Sequence, residues 1–173
     1  MILGTGIDLA SVSQLAEQLV LPGTTFVTAN LTAMEVRTVR RRCSEELPAE
    51  QLADVDALLS GDAGALAADS APALAVARHV AARWAAKEAA IKAWSAALYG
   101  QEPPLAADAV DLREIEVIHD HWKRPALVMH GEVADALVNS LSSVTDRDNP
   151  PIWHLSLTHD GDTALAQAIL ETA

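Results

Sequence analysis

Arg83-Trp84-Ala85-Ala86-Lys87-Glu88-Ala89-Ala90-Ile91-Lys92-Ala93-Trp94 is the second half of an Ala-rich segment that runs from Pro72 to Gly100 without an internal Gly or Pro. Such a segment predicts one long helix, entered through Asp69-Ser70-Ala71-Pro72 and ended by Gly100-Gln-Glu-Pro103-Pro104. Four charged residues, Arg83, Lys87, Glu88 and Lys92, stand among small and apolar neighbours. At helical pitch Glu88 and Lys92 share a face one turn apart, with Trp84 one turn below. Taken alone, that pair is compatible with an ion pair that supports a surface helix by about 0.2–0.5 kcal/mol. A second reading arises because an acidic residue, Asp8, stands near the N-terminus, and Ser156-Leu-Thr-His159 stands near the C-terminus.

Towards the N-terminus, residues 2–9 read as a buried strand, followed by a helix that Ser11 or Ser13 can cap and that Leu21-Pro22-Gly23 ends. Thr32 and Glu35 have capping-box spacing and open a helix to about Arg42, with Arg37, Arg40, Arg41 and Arg42 in its last turns. Cations there favour a helix C-terminus, and they also suit docking of an acidic partner. Residues 44–71 hold Glu45, Glu46, Glu50, Asp54, Asp56, Asp62 and Asp69 but no Lys or Arg. Leu52, Val55, Leu58 and Leu59 predict a short helix in this acidic insertion, and the rest reads as a mobile excursion without chemistry. Towards the C-terminus, Glu114–His119 and Arg124–His130 alternate as a hairpin, Gly131–Val138 reads as a helix, and 152–158 with 163–170 form a second hairpin around Asp160-Gly161. Strands at both ends, helices between and antiparallel hairpins predict an α+β domain.

The chain has 173 residues, half of them apolar, with four Trp, one Tyr and one Phe, so Ala and Leu must fill the core of what reads as a single domain, 1–173. A net charge of −12 argues against nucleic acid as a partner. No apolar run is long enough to span a membrane, no basic leader with a cleavage site is present, and one cysteine, Cys43, fits a reducing compartment; a cytoplasmic protein is expected. His119-Asp-His121 lacks a third clustered ligand and does not predict zinc.

Three pieces in order resemble the holo-acyl-carrier-protein synthase family of 4′-phosphopantetheinyl transferases, in its actinobacterial form. They are Gly4-Thr-Gly-Ile-Asp8; Trp84, Ala85, Ala86, Lys87, Glu88, Ala89, Lys92 and Ala93; and Ser156-x-x-His159 ahead of Ala164 to Ile169. The resemblance implies a long central helix packed on a small antiparallel sheet, a homotrimer with active sites at subunit interfaces, Mg²⁺ as cofactor and coenzyme A as substrate. The phosphopantetheine acceptor would be a serine of an acyl carrier protein or of the carrier domain of a type I fatty acid synthase. It further implies Asp8 and Glu88 as metal ligands, and Glu88 as acceptor of the serine proton, directly or through water. Lys92 would donate to the phosphate, Arg83, Lys87 and His159 would bind coenzyme A, and Arg37, Arg40 and Arg41 would dock the carrier.

Some features depart from the family pattern. Ser11 stands where many members carry a further acid, Trp94-Ser95-Ala-Ala replaces a Gly-rich turn, and Gln14, Glu17 and Gln18 replace basic residues on the first helix. Two other functions remain compatible with acids around a cation: a Mg-dependent phosphohydrolase, and a non-catalytic trimeric module that binds carrier or nucleotide. The first would call for more clustered carboxylates than the sequence offers, and the second gives no reason to keep Asp8, Glu88 and Lys92 together.

Overall fold

The computed structural model describes residues 1–145 and 149–172. Its elements are β1 (Ile2–Ser11), α1 (Val12–Leu19), α2 (Phe26–Asn30), α3 (Ala33–Glu46), α4 (Leu52–Ser60), α5 (Ala71–Ala97), β2 (Ile115–His119), β3 (Pro125–Met129), α6 (Gly131–Ser140), β4 (Pro151–Asp160) and β5 (Thr163–Thr172). The fold is α+β, as expected. Three strands form a sheet in the order β1-β5-β4, and β2 pairs antiparallel with β3 from Ile115 opposite Met129 to His119 opposite Pro125. The chain packs as two compact units. One holds Met1–Asp8, Ala85–Leu157 and the chain from Leu165 on; the other holds Leu9–Trp84 and Thr158–Ala164.

In the first unit, the organising contact is between β1 and the second half of α5. Alternation along the strand points Gly4, Gly6 and Asp8 to one face. A Cβ on Gly4 would overlap the carbonyl oxygen of Ala93, and one on Gly6 that of Ala89. Strand backbone therefore lies directly on helix backbone, which only glycine on one side and alanine on the other permit. Ala85, Ala86, Ala89, Ala90 and Ala93 are all buried, as are Ala166, Ala168 and Leu170 of the central strand. The scarcity of aromatic residues thus reflects a core built on close approach, not on large side chains. Trp94 is a buried aromatic residue of this core, with its indole N–H donating to Ser140 of α6 at 2.9 Å. Glu114 closes the N-terminus of α6: its carboxylate accepts from Val133 N at 2.8 Å and fills the space a side chain on Gly131 would need.

The second unit is mainly helical. Ser11 caps α1 by accepting from Gln14 N, and Thr32 with Glu35 forms the capping box that the spacing predicted. α3 continues to Glu46, one turn beyond the sequence expectation, and α2 was not foreseen. The acidic insertion folds back as part of the unit: Val55 and Leu58 are fully buried on α4, and Gly61 ends it with φ 85°, its Hα side against Thr24 O. Phe26 meets Trp84 edge-to-face at 5.6 Å. Cys43 is buried, and that burial, with Glu46 nearby, pushes its thiol up to about 11.

Gly6→Ala should lower stability by about 3 kcal/mol, since no side chain can yield to the new methyl against helix backbone. A urea midpoint unchanged from the parent would show that the strand does not depend on this approach.

Candidate active site

The glycine contact sets up the site. With Gly4 and Gly6 lying on α5, the next residue of the same parity, Asp8, reaches the helix where Lys92 and Glu88 occupy adjacent turns. Lys92 Nζ donates to Asp8 Oδ1 at 2.6 Å and to Ile7 O at 3.3 Å. The Asp8 side chain is only 15 % exposed, whereas that of Lys92 is about half exposed, so the ammonium covers the carboxylate from the solvent side. The Glu88 carboxyl is pushed above the usual carboxylate range, first by burial and then by the charge of Asp8, with Lys92 opposing. Asp8 therefore comes together with Lys92, 84 residues away, and within range of the charge on Glu88. No cluster of three or more His, Cys, Asp or Glu arranged for a metal exists among the described residues.

Lys87 and Arg83 lie elsewhere. Lys87 is fully buried; its Nζ donates to Leu112 O at 2.9 Å and ties the segment before β2 to the helix. Arg83, in the helical unit, is 4 % exposed, with Nη1 donating to His79 O at 2.9 Å and Nε without a partner among the described residues. Burial pulls its guanidinium down to about 10, against the opposing pull of Glu35. Both were expected to face coenzyme A phosphates; neither head group opens to solvent in this chain.

His159 is exposed near the end of β4, in the helical unit. The turn beyond it is one residue later than anticipated: Gly161 and Asp162 form the loop, with Gly161 at φ 53°. Glycine at the first central position suits a hairpin turn that matches strand twist. The shift gives Asp162 a role that sequence reasoning missed. Its Oδ1 accepts from Ser13 N at 2.7 Å, and its Oδ2 accepts from the hydroxyls of Ser11 and Ser13, each at 2.9 Å. These donors hold the Asp162 carboxyl below its ordinary range. Ser11 is thus occupied as cap and donor, and is not a third acidic ligand.

The arginine face of α3 is largely neutralised from within. Arg40 forms a bidentate pair with Asp56 at 2.6 and 3.0 Å, Arg41 meets Glu45 at 2.6 Å, and Arg78 and His79 share Glu46. Arg37 contacts Met34 Sδ and makes no ion pair among the described residues. In the first unit, a cavity of about 240 Å³ opens along α5 beside Ile91 and Ser95, one and two turns beyond Glu88, with Leu98, Pro103 and Leu105 on its walls.

Comparison with known proteins gives one consistent answer. A family model described as "4'-phosphopantetheinyl transferase superfamily" matches residues 4–157. Holo-[acyl-carrier-protein] synthase of Mycobacterium ulcerans is 40 % identical over 172 residues, covering 99 % of this chain and 98 % of the relative. Its Mycobacterium tuberculosis counterpart is 39 % identical over 170 residues, covering 98 % and 97 %. Among solved structures, the Chronobacterium ammoniagenes ACPS-CoA complex superposes with a TM-score of 0.71 at 34 % identity, covering 98 % of this chain and 97 % of that one.

Carboxyl NMR titration should place Glu88 above a free glutamate; Asp8→Asn should bring it back towards the ordinary value and Lys92→Met should raise it further. The sign for stability follows. The folded chain holds this proton more tightly than the unfolded one, so ionisation of Glu88 costs stability as pH rises from the unfolded towards the folded midpoint. A Glu88 midpoint indifferent to both substitutions would separate the three groups.

Proposed function

The chain belongs to the 4′-phosphopantetheinyl transferase superfamily, and from that premise we propose how its residues divide the work. It transfers the 4′-phosphopantetheine of coenzyme A to a serine of an apo acyl carrier protein and releases adenosine 3′,5′-bisphosphate. In the transfer, the serine oxygen forms a bond to the pyrophosphate phosphorus that carries the pantetheine arm, the bridging P–O bond breaks, and the serine proton must be taken up. The observation that carries the assignment of roles is the convergence of Asp8, Glu88 and Lys92.

The donor set fits Mg²⁺. Two mutually repelling carboxylates, already drawing an ammonium onto Asp8, suit a hard cation that takes one or two carboxylates and completes its octahedron from waters and phosphates. Asp8 and Glu88 would hold it, and when bound it supplies charge neutralisation on the pyrophosphate oxygens. Glu88, its affinity for a proton raised by burial and by Asp8, is the group suited to accept the serine proton. Lys92, half exposed at the edge of the pair, donates to the phosphate on which charge builds. His159, on its exposed strand end, binds a coenzyme A phosphate. Arg83 and Lys87 belong to the same reading through α5, but each is buried in its own unit, and contact with phosphate requires their head groups to turn outward. The cavity beside Ile91 and Ser95 offers room for part of the coenzyme A molecule.

Carrier docking through α3 falls chiefly to Arg37, since Arg40 and Arg41 would first have to release Asp56 and Glu45. The acceptor reads as a carrier protein or the carrier domain of a type I synthase, and the absence of basic residues at Gln14, Glu17 and Gln18 favours the latter. A homotrimer accounts for Ile7 and Leu9, 57 % and 61 % exposed on one face of β1 and in need of cover. The family match spans residues of both packing units, which supports one transferase domain. No helix among the described residues is long and apolar enough to cross a membrane, in keeping with a cytoplasmic role in fatty acid biosynthesis.

Glu88→Gln and Asp8→Asn should each reduce transfer by about 100-fold or more while leaving the circular dichroism spectrum unchanged. The measurement is mass gain on an apo carrier mixed with coenzyme A and Mg²⁺. Turnover at the parent rate removes that residue from the mechanism, and coenzyme A hydrolysis without carrier modification would replace transferase by hydrolase. Chelation should stop transfer and added Mg²⁺ should restore it.

A further inference from the structure

Asp162 lies in a hairpin turn, a place where an aspartate usually serves only the turn itself. Here its carboxylate faces away from the turn and gathers donors from another part of the helical unit. Ser13 N reaches Oδ1 at 2.7 Å, and the Ser11 and Ser13 hydroxyls reach Oδ2 at 2.9 Å each. The backbone joins in, with Val12 N donating to Asp162 O at 2.8 Å. Four bonds therefore tie a two-residue loop to the first turn of α1. The arrangement uses each group to capacity: Ser11 Oγ accepts from Gln14 N while giving its proton to Asp162, and Ser13 N is one of the helix's orphan donors. A negative charge at this helix N-terminus is also favourable. The loop would close without any of this, since Gly161 alone satisfies the backbone at φ 53°.

The tied loop is the continuation of the strand end that bears His159, three residues earlier. An exposed histidine on an untethered hairpin tip would sample many positions; one whose turn is pinned by charge-assisted bonds does not. We propose that Asp162 is a positioning residue of the transferase, which pins the His159 turn to α1 so that the imidazole is held ready for a coenzyme A phosphate. The inference rests on the reading of His159 as a coenzyme A ligand, and it adds a residue that acts only through it.

The test is a double-mutant cycle on the full chain, with KM for coenzyme A and kcat for carrier modification as readouts. His159→Ala should raise KM by about tenfold, the loss of one charge-assisted contact. Asp162→Ala should raise KM in the same direction with little change in kcat. The double variant should be no worse than His159→Ala alone, because the latch has nothing left to position. Asp162→Asn, which keeps an acceptor for Ser13 N, should recover most of the affinity. Amide hydrogen exchange at Ser13 should quicken in Asp162→Ala and not in Asp162→Asn, which checks the latch independently of activity. An Asp162→Ala enzyme with parental KM, or a double variant in which the two effects multiply, overturns the inference. A His159→Ala enzyme with parental KM instead overturns the reading of His159, and does so without reference to Asp162.

Discussion

Backbone lies on backbone where β1 crosses α5, and the site depends on that contact. Gly4 and Gly6 carry no side chain towards Ala93 and Ala89, so strand and helix come as near as peptide groups allow. Any larger residue in these places would lift the strand away, and Asp8 would no longer reach Lys92. The same economy of volume explains the composition. A core assembled from Ala85, Ala86, Ala89, Ala90, Ala93, Ala166 and Ala168 gains little from each side chain in hydrophobic transfer, but gains dispersion contact along two close main chains.

Electrostatics then does what sterics prepared. Partial burial and the charge of Asp8 make Glu88 costly to ionise, and the ammonium of Lys92 offsets only part of that cost. The cluster is therefore uneven: Asp8 is paired at 2.6 Å, while Glu88 is left holding its proton more firmly than a free glutamate would. On the proposed reading, one pair of like groups with unlike surroundings would supply both a cation-holding carboxylate and a proton acceptor. Lys87, one residue away from Glu88, is fully buried and fastens the segment before β2.

Much of this was legible in the sequence, for reasons that differ by element. The long helix is announced by a breaker-free stretch between Pro72 and Gly100, α3 by Thr32 and Glu35, and the hairpins by alternation with turn residues. Asp8, Glu88 and Lys92 are recognisable as a set because they stand in motifs, and the structure brings them together. Burial was not legible. Arg83 and Lys87 look like surface cations in a string of letters, and only the packing of a face shows them to be inside. The insertion between residues 44 and 71 reads as solvent-facing acid, because its apolar positions, Val55, Leu58 and Leu59, are few and its counter-charges lie on a separate helix. Asp162 was missed for a simpler reason: a one-residue difference in turn register decides whether its side chain serves the turn or bonds Ser11 and Ser13.

Asp56, Glu45 and Glu46 also act at a distance. By quenching Arg40, Arg41 and Arg78 they leave the molecule, at −12 overall, with little outward positive field to draw in an acidic carrier. Against a carrier of like sign, collision would be hindered by mutual repulsion, and dissolved ions, by shortening the reach of that repulsion, would speed the first meeting. Selection among such carriers would then be exercised after touch, through shape and short-range bonds, in a complex that forms by chance encounter instead of being summoned by charge.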